Sequence, residues 1–299
     1  MHKVSIVTPT YKRAPKLKRA IDSCLNQTHE NIEIIVVDDN NPKTKYREAT
    51  EKIMEEYREN NKVKYIKHSR NKNGSAARNT GISNSSGEFI AFLDDDDYFF
   101  ETKIKDQLEF LVNNKQYDAV YCGFKCGEKL VVPKKSGNLL FEQFFGSNII
   151  DTNLLMMKKE ALLKIECWDE RLNRNQDTSL MIKYFAEGYQ IGVISDVLVE
   201  IDLSDRSNVA NPIKNEENFN KFFEYYSQYM EALTKKQQKQ IIASRYRGVC
   251  LRYLKSKDVK NTVRIYLKYT LNYPFYFNWF FIFVSIKNNV FGRDIYGYK

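Results

Sequence analysis

Four consecutive aspartates, Asp94 to Asp97, directly follow the apolar residues 89–93 in this chain of 299 residues. The apolar run is short and comes after Gly87, which is typical of a buried strand in a parallel sheet. Adjacent carboxylates repel one another, so they suit the end of a buried strand when a cation lies among them. A divalent metal is the simplest such cation, because ligands of open α/β sheets collect at the carboxyl ends of strands. A solvated acidic turn is the alternative.

The rest of the chain alternates between predicted strands and predicted helices. Residues 32–37 form a second buried strand that ends in carboxylates, Asp38 and Asp39. The predicted strands cover residues 4–8, 32–37, 63–66, 89–93, 119–124, 153–157, 191–195 and 197–201. The predicted helices cover residues 16–27, 44–60, 73–81, 98–113, 159–165 and 178–187. This alternation predicts right-handed crossovers and an α/β fold with a mostly parallel sheet flanked by helices.

The charge of the chain changes near residue 210. Residues 1–210 hold 31 Lys and Arg against 32 Asp and Glu, whereas residues 211–299 hold 16 against 6. The same tail contains 21 of the 41 aromatic residues. We therefore predict a catalytic domain over residues 1–210 and a basic, aromatic-rich helical appendage over residues 211–299, with helices at 219–233, 237–254 and 259–271.

Several classes of site are poorly supported. Five cysteines without a regular spacing are expected to be reduced thiols. The three histidines, His2, His29 and His68, are expected on the surface or in loops, which argues against a Ser/His/Asp triad or a histidine-rich metal site. The apolar start of the chain is cut off by Pro9 and is too short for a signal peptide, so the expected location is cytoplasmic.

Two other uses of the acidic run also fit poorly. A metal-dependent phosphatase needs an aspartate nucleophile after an early strand, where this chain has Thr8, Pro9 and Thr10. An EF-hand loop starting at Asp94 needs Gly at its sixth position and Glu at its twelfth, where this chain has Phe99 and Lys105.

Five segments in a fixed order resemble the family 2 glycosyltransferases, of the kind that build bacterial polysaccharides. They are VSIVTPTYKR, IIVVDD, NGSAARNTG, FLDDDDY and WDERLNRNQD, the last followed by an amphipathic helix and Gly188. The resemblance covers roughly residues 3–210. It implies the Rossmann-like GT-A fold and inverting transfer of a sugar from a nucleotide-sugar donor.

By resemblance, the DxD motif of the family falls on the acidic run. It implies that Asp94 lies at the ribose, that Asp96 binds the metal, and that Asp97 lies beside them. Asp95 takes the variable middle position among the donor-binding residues. The physical reason agrees, because Mn²⁺ or Mg²⁺ neutralises the departing diphosphate and prefers oxygen ligands.

The resemblance also implies a set of nucleotide-binding residues. These are Thr8, Pro9, Tyr11, Arg13, Asp39 and Arg78. A carboxylate pairs well with a ring N–H, so Asp39 is expected to accept a hydrogen bond from uracil, which favours a UDP-sugar donor. For Tyr11 the alternative is a loop aromatic that covers the sheet, and for Arg13 it is a solvated charge.

Asp177 corresponds to the catalytic base of the family. An inverting enzyme needs a base that removes the proton of the acceptor hydroxyl as that oxygen attacks the anomeric carbon. Here the residue pair is Gln176-Asp177, at the start of a helix whose positive end keeps a carboxylate ionised. A helix cap is the alternative role of Asp177, and both roles are compatible.

The acceptor side of the site is implied by the segment before the base. Trp168, Asp169 and Glu170 resemble the residues that border the acceptor pocket, and Trp168 would stack on a sugar ring or pack in the core. Arg206 is placed by the same resemblance where a loop would close on the diphosphate, with a plain surface arginine as the alternative. The implied acceptor is a hydroxyl of a glycan or of a polyprenyl-diphosphate-linked sugar in surface polysaccharide synthesis.

The tail leaves three interpretations open. Residues 273–286 are densely aromatic, but the apolar stretch 280–284 is far too short to span a bilayer. The tail is expected either to make peripheral contact with the inner face of the cell membrane, to pack internally, or to form a homodimer. No nucleic-acid module is recognisable, so nucleic acid is not an expected partner. A binding-only relative that supports a partner enzyme is the alternative to an active enzyme.

Overall fold

The computed structural model describes residues 2–147, 150–202, 204 and 211–277, and it divides the chain into two compact units. The first contains the described residues within Met1–Leu139 and Ile149–Asp205, and the second contains those within Leu140–Asn148 and Arg206–Lys299. The structure therefore groups residues 140–147 with the described part of the tail. Separate domains over 1–210 and 211–299 stay a prediction.

A single mixed sheet forms the centre of the first unit. Its order is β3-β2-β1-β4-β8-β6-β9-β5, with β7 paired to β6. Neighbours are parallel from β3 to β4 and between β6 and β9, and they are antiparallel elsewhere. The strands are β1 Val4–Thr10, β2 Ile32–Asp38, β3 Val63–Lys67, β4 Phe89–Phe92, β5 Tyr98–Phe99, β6 Ala119–Cys126, β7 Lys129–Val131, β8 Leu155–Lys158 and β9 Ile191–Glu200.

Helices connect these strands and pack against the sheet. In the first unit they are α1 Ala14–Leu25, α2 Lys45–Glu55, α3 Gly74–Ser83, α4 Lys103–Asn113, the short 3₁₀ helix Thr152–Leu154, α6 Lys159–Lys164 and α7 Gln176–Ala186. In the second unit they are α5 Leu140–Phe145, α8 Pro212–Tyr226, the 3₁₀ helix Ser227–Ala232, α9 Lys235–Lys255 and α10 Val259–Asn272. No helix among these described residues is long and apolar enough to cross a membrane.

The strand order creates a crevice at one edge of the sheet. The chain passes from β1 outward through β2 to β3 and then returns to the other side of β1 as β4. The carboxyl ends of β1 and β4 are therefore followed by connections that run in opposite directions, which is where α/β sheets bind ligands. The antiparallel pairing of β4 with β8 also brings the residues just before Leu155 beside those just after Phe92.

The sheet is mixed rather than mostly parallel as predicted, because four of its eight strand pairings are antiparallel. Individual elements also differ from their predictions. Residues 98–102 are not helical, because Tyr98 and Phe99 pair with β9 and place the Phe99 ring in the core, so α4 begins only at Lys103. The strands predicted at 191–195 and 197–201 are one strand, since β9 pairs with β6 along most of its length through an irregularity near Gly123.

The second unit has a core built largely from tail aromatics. Tyr246 of α9 stacks on Tyr269 of α10 with ring centroids 3.9 Å apart, and Phe277 is fully buried beside them. Val249 and Ile265 fill the same cluster. Internal packing thus accounts for several of the described aromatics, while most of the predicted aromatic segment 273–286 lies outside the described residues.

Helix α3 lies very close to β1 at Gly81, and a substitution there is predicted to destabilise the fold. A Cβ atom on Gly81 would lie 2.3 Å from Cγ1 of Val7, a distance that the core cannot accept without movement. We expect Gly81→Ala to lower the free energy of unfolding by about 1–3 kcal/mol in denaturant titrations. Gly248→Ala in α9 is the matched control, because its added methyl meets no atom within 4 Å.

The control variant should be more stable than the native chain by about 0.5–1 kcal/mol, because alanine loses less backbone entropy in a helix. Combining Gly81→Ala with Val7→Ala should cost less than the sum of the two single changes, since the colliding methyl group is gone. Additive costs would contradict a steric origin.

Candidate active site

The predicted acids and the first loop meet at the crevice beyond β1 and β4. Asp95 accepts a hydrogen bond from the Thr10 hydroxyl at 2.6 Å and from the backbone N–H of Tyr11 at 3.3 Å. Asp96 forms an ion pair with Arg13 at 2.7 Å. Arg13 is thus paired within the protein, and its contact with a nucleotide stays a prediction. Asp95 anchors the first loop.

The outer two aspartates of the run point to other elements. Asp94 forms an ion pair with the guanidinium of Arg78 at 2.6 Å. Asp97 accepts hydrogen bonds from the Asn153 side chain at 2.6 Å and from the backbone N–H of Asp202 at 2.7 Å. The four carboxylates thus fan out, and each one ties the end of β4 to a different part of the first unit.

Burial is the main reason that three of these acids, Asp95, Asp96 and Asp97, have raised pKa values. Burial, reinforced by the Asp96 carboxylate, raises the pKa of Asp95 to about 7 even though Thr10 and Arg13 oppose the rise. Burial together with the neighbouring Asp94 and Asp96 raises the pKa of Asp97 to about 9. The pKa of Asp96 is also raised, mainly by burial. Protons therefore neutralise part of the acidic run at neutral pH, and a bound cation would compensate the same charge by displacing them.

The donor set fits Mn²⁺ or Mg²⁺ in one specific way. Within the part of the chain that the structure describes, no three His, Cys, Asp or Glu side chains converge as a complete metal site. The acids nearby offer only oxygen ligands, which both cations prefer. Mg²⁺ at phosphate-transfer sites commonly takes one or two carboxylates and fills its remaining positions with phosphate oxygens and water. Asp96, with Asp94 beside it, suits such a partial site.

Asp39 is held by a network that the sequence did not reveal. Its carboxylate accepts hydrogen bonds from His68 Nδ1 at 2.8 Å, from Asn71 Nδ2 at 2.7 Å, and from the backbone N–H groups of Lys72 at 2.8 Å and Asn73 at 3.0 Å. Four donors occupy both oxygens. A uracil N–H would therefore have to replace one of them.

Two of the histidines, His29 and His68, lie in loops, which is one of the two predicted placements, but not on the surface. His68 and His29 are both buried. The other nitrogen of His68 bonds the Thr80 hydroxyl at 2.9 Å, so this imidazole links Asp39 to α3. His29 bonds the backbone carbonyl of His2 at 3.0 Å. Each imidazole ring can be buried because a polar group forms a hydrogen bond with it. Composition alone does not reveal such a partner.

The remaining first-loop residues lie along the same edge. Thr8 is fully buried in β1, and its hydroxyl finds no hydrogen-bond partner among the described residues. Pro9 is the next residue of β1 and pairs with Val37. The Tyr11 ring is 40% exposed, and the Lys12 ammonium lies 4.8 Å from its centroid. An exposed aromatic ring at a crevice suits stacking on a planar ligand.

Arg78 connects the acidic run with the predicted base. It lies in α3, is almost completely buried, and approaches the Gln176 side-chain oxygen at 3.3 Å as well as Asp94. Its pKa is raised because the Asp94 and Asp177 carboxylates outweigh the effect of burial. A single buried guanidinium therefore interacts with both the donor-side acids and Asp177.

Asp177 lies in the first turn of α7. Asn175, in a left-handed conformation, is the N-cap residue, so Asp177 is not the cap. The Thr152 hydroxyl donates a hydrogen bond to its carboxylate. Burial raises the pKa of Asp177, while Arg78 and Thr152 act against the rise. A carboxylate that is held in place and somewhat more basic than usual suits a general base.

Residues 151–153 are functional candidates that the sequence analysis missed. The amide of Asn153 donates to Asp97 and Asp151, and its oxygen accepts from the backbone N–H of Asp94 at 2.7 Å. Thr152 contacts Asp177. The segment Asp-Thr-Asn carries no motif, because its role depends on the antiparallel pairing of β8 with β4.

The predicted acceptor residues are attached to α3. Trp168 is buried, with its ring edge-on to Phe92 and the Arg78 guanidinium 4.8 Å from its centroid. Glu170 accepts a hydrogen bond from Asn79 at 2.9 Å. Asp169 pairs with Arg171 at 2.7 Å. Trp168 thus packs in the core in this structure. The remaining predicted residue, Arg206, lies outside the described residues.

The Asp151 carboxyl group is expected to make the stability of the chain depend on pH. Burial and the neighbouring Asp177 and Asp94 carboxylates raise its pKa to about 7, whereas an unfolded aspartate titrates near pH 4 (about 3.9). Between these values the folded chain retains a proton that the unfolded chain has lost, so this group makes stability fall as the pH rises. Asp151→Asn removes that contribution. The free energy of unfolding of the variant minus that of the native chain should therefore rise by on the order of 2 kcal/mol between about pH 5 and about pH 8.

Denaturant titrations at the two pH values measure this difference. The isosteric asparagine keeps an oxygen that accepts from Asn153, so the local turn should persist. Parallel pH dependence of the native and variant chains would show that Asp151 does not hold its proton in the folded state.

The chain resembles known glycosyltransferases in sequence. The sequence model of the family described as Glycosyl transferase family 2 matches residues 5–174. An uncharacterized glycosyltransferase of Methanocaldococcus jannaschii is 31% identical over 232 residues, which cover 75% of this chain and 77% of that protein. An uncharacterized glycosyltransferase of Rickettsia typhi is 30% identical over 254 residues, which cover 78% and 73% of the two chains.

Among solved structures, the chain resembles the crystal structure of S. aureus TarS 1-349 in complex with UDP-GlcNAc. The TM-score is 0.60 at 18% sequence identity, over 90% of this chain and 91% of that chain. The crystal structure of TarS 1-349 in complex with UDP gives a TM-score of 0.58 at 18% identity, over 92% and 93%. This likeness in fold confirms the predicted fold class.

Proposed function

Since the chain belongs to glycosyl transferase family 2, we propose that it transfers a hexosyl or N-acetylhexosaminyl group from a UDP-sugar to an acceptor hydroxyl with inversion. The observation that carries this proposal is Arg78, a buried cation that pairs with Asp94 and interacts with Asp177. It links the acids that suit a metal ion at the donor diphosphate to the carboxylate that suits a base. The complexes of TarS with UDP and with UDP-GlcNAc support a donor of this type.

Donor binding is proposed to use the crevice at the ends of β1 and β4. Tyr11 would stack on the base, and Asp39 would accept from its ring N–H after exchanging one of its present donors. Arg13, which is 30% exposed at its side chain, would turn from Asp96 toward the diphosphate. Asp96 and Asp94 would hold Mn²⁺ or Mg²⁺, which when bound neutralises charge on the leaving diphosphate.

The transfer step is proposed to depend on Asp177. Its carboxylate takes the proton of the acceptor hydroxyl as that oxygen forms a bond to the anomeric carbon. The bond from that carbon to the diphosphate breaks on the opposite face, and UDP leaves with the electron pair. Thr152 fixes one oxygen of the carboxylate through its hydrogen bond. Because the Asp177 carboxylate is already fixed in orientation, it loses less conformational entropy when the reactive geometry forms.

The acceptor is proposed to be a glycan or a polyprenyl-diphosphate-linked sugar used in surface polysaccharide synthesis. Asp169 and Glu170 would border it, because hydrogen bonds from Asn73 and Asn79 hold this segment at the start of α3. Trp168 would support the segment from the core, where it packs on Phe92. Direct stacking on a sugar would require Trp168 to leave that position.

A donor screen tests the proposal. UDP release should be measured with UDP-Glc, UDP-Gal, UDP-GlcNAc and UDP-GalNAc in the presence of Mn²⁺, with short glycans and lipid-linked sugars as acceptors. One donor should give acceptor-dependent release that Asp177→Asn removes. UDP binding without hydrolysis or transfer from any of the four donors would instead identify a binding-only relative that serves a partner enzyme.

A further inference from the structure

Helix α10 exposes a row of apolar side chains on its outer face. Val259, Val263, Leu267 and Leu271 follow one another at intervals of four residues, so they lie along one side of the helix. Their exposed fractions range from 48% to 79%. Phe275, just past the end of the helix, is 84% exposed. Other side chains of α10, among them Ile265 and Tyr269, pack in the core of the second unit.

A row of cations runs beside the apolar row. Lys260, Arg264 and Lys268 each follow a member of the apolar row by one residue, which turns them by about 100° around the helix axis. All three are exposed. Helix α10 contains no aspartate or glutamate. Arg264 also forms an ion pair with Glu216 of α8 at 2.5 Å, so Lys260 and Lys268 supply the positive charge that the outer surface combines with its apolar row.

We propose that this outer face of α10 docks on the surface of a bilayer that contains anionic lipid. A helix lying in the membrane interface buries apolar side chains among the acyl chains while lysine and arginine contact the headgroups. Each cation near an anionic surface adds attraction. The helix of 14 residues would present about 20 Å of continuous surface to the bilayer. Phe275 and the nearby tyrosines belong to the residue types favoured at that depth.

Charge argues against a second copy of the chain as the occupant. In a two-fold symmetric contact the same face serves both partners, and with the two helices antiparallel the apolar rows would meet with the basic rows side by side. The like charges would then repel across the contact. An anionic surface turns the same cations into an attractive contribution.

Vesicle flotation with the full chain tests this inference. We expect binding to phosphatidylcholine vesicles with about 30% phosphatidylglycerol and much weaker binding to pure phosphatidylcholine. Val263→Ser/Leu267→Ser/Leu271→Ser should lower the partition coefficient by at least about tenfold. Lys260→Gln/Lys268→Gln should lower it by about fivefold for each lysine, with the loss shrinking at high salt.

Leu130→Ser/Leu163→Ser is the matched control, because both leucines are exposed apolar residues of the first unit. It should bind vesicles like the native chain, and circular dichroism should show every variant folded. Native-like vesicle binding by the α10 serine variant, or no binding by the native chain, would overturn the proposal. So would a native dimer that the α10 variant dissociates. Release of UDP from a donor with a water-soluble acceptor is recorded separately and tests the catalytic proposal.

Discussion

Asp177→Asn is expected to lower the rate of sugar transfer by a factor of about 10² to 10⁴, which is the usual contribution of a general base. The asparagine amide keeps the shape of the side chain and can still accept from Thr152, but it cannot take a proton. Binding of UDP should persist, because the Asp177 carboxylate accepts its hydrogen bond from Thr152, which is not among the proposed nucleotide-binding residues. The measurements are kcat with the best donor and acceptor, and the Kd of UDP by calorimetry.

Asp106→Asn is the matched control for this experiment. Asp106 also lies in the first turn of a helix, α4, which follows β5 rather than the crevice strands β1 and β4. Its change should leave both kcat and UDP affinity near native values. Turnover by Asp177→Asn close to that of Asp106→Asn would remove Asp177 as the base. Loss of UDP binding along with turnover would indicate a role in donor binding.

Removal of divalent cations is expected to lower kcat/KM by about a hundredfold or more. A cation at the leaving diphosphate contributes several kcal/mol to the stability of the transition state, and about 1.4 kcal/mol corresponds to a tenfold change in rate. Asp96→Asn should reproduce most of that loss. It should also reduce the gain in UDP affinity that Mn²⁺ gives the native chain.

Affinity for UDP measured with Mn²⁺ and with a chelator separates the possible ligands. If Asp94→Asn loses the Mn²⁺ gain and Asp96→Asn retains it, the principal metal ligand is Asp94. Equal UDP affinity of the native chain under both conditions would contradict a metal role for the whole run. Asp106→Asn should keep the full response to Mn²⁺, which controls for a general effect of losing one carboxylate.

The strength of the acidic run as a signal has a clear physical basis. A buried strand that ends in four carboxylates is unfavourable without compensation, so its position and charge could be interpreted before any fold was known. The parallel strands β1, β2 and β4 followed from runs of buried residues, and their shared direction placed Asp39 and the acidic run at one edge. The family model matches residues 5–174 and confirms the predicted family, whereas the roles of the acidic run and of Asp39 stay predictions.

The sequence by itself determined the elements whose signals are local: the parallel strands, the acids that end them, and the boundary where charge and aromatic content change. Tertiary structure decided what depends on partners distant in the chain. His68 is buried because Asp39 and Thr80 satisfy its two nitrogens, and residues 151–153 reach the site because β8 runs antiparallel to β4. The direction of each aspartate in the run was likewise set by its partner, Arg78, Thr10, Arg13 or Asn153. Identical neighbours in a sequence carry no information about which partner each will meet, and only the folded chain supplies it.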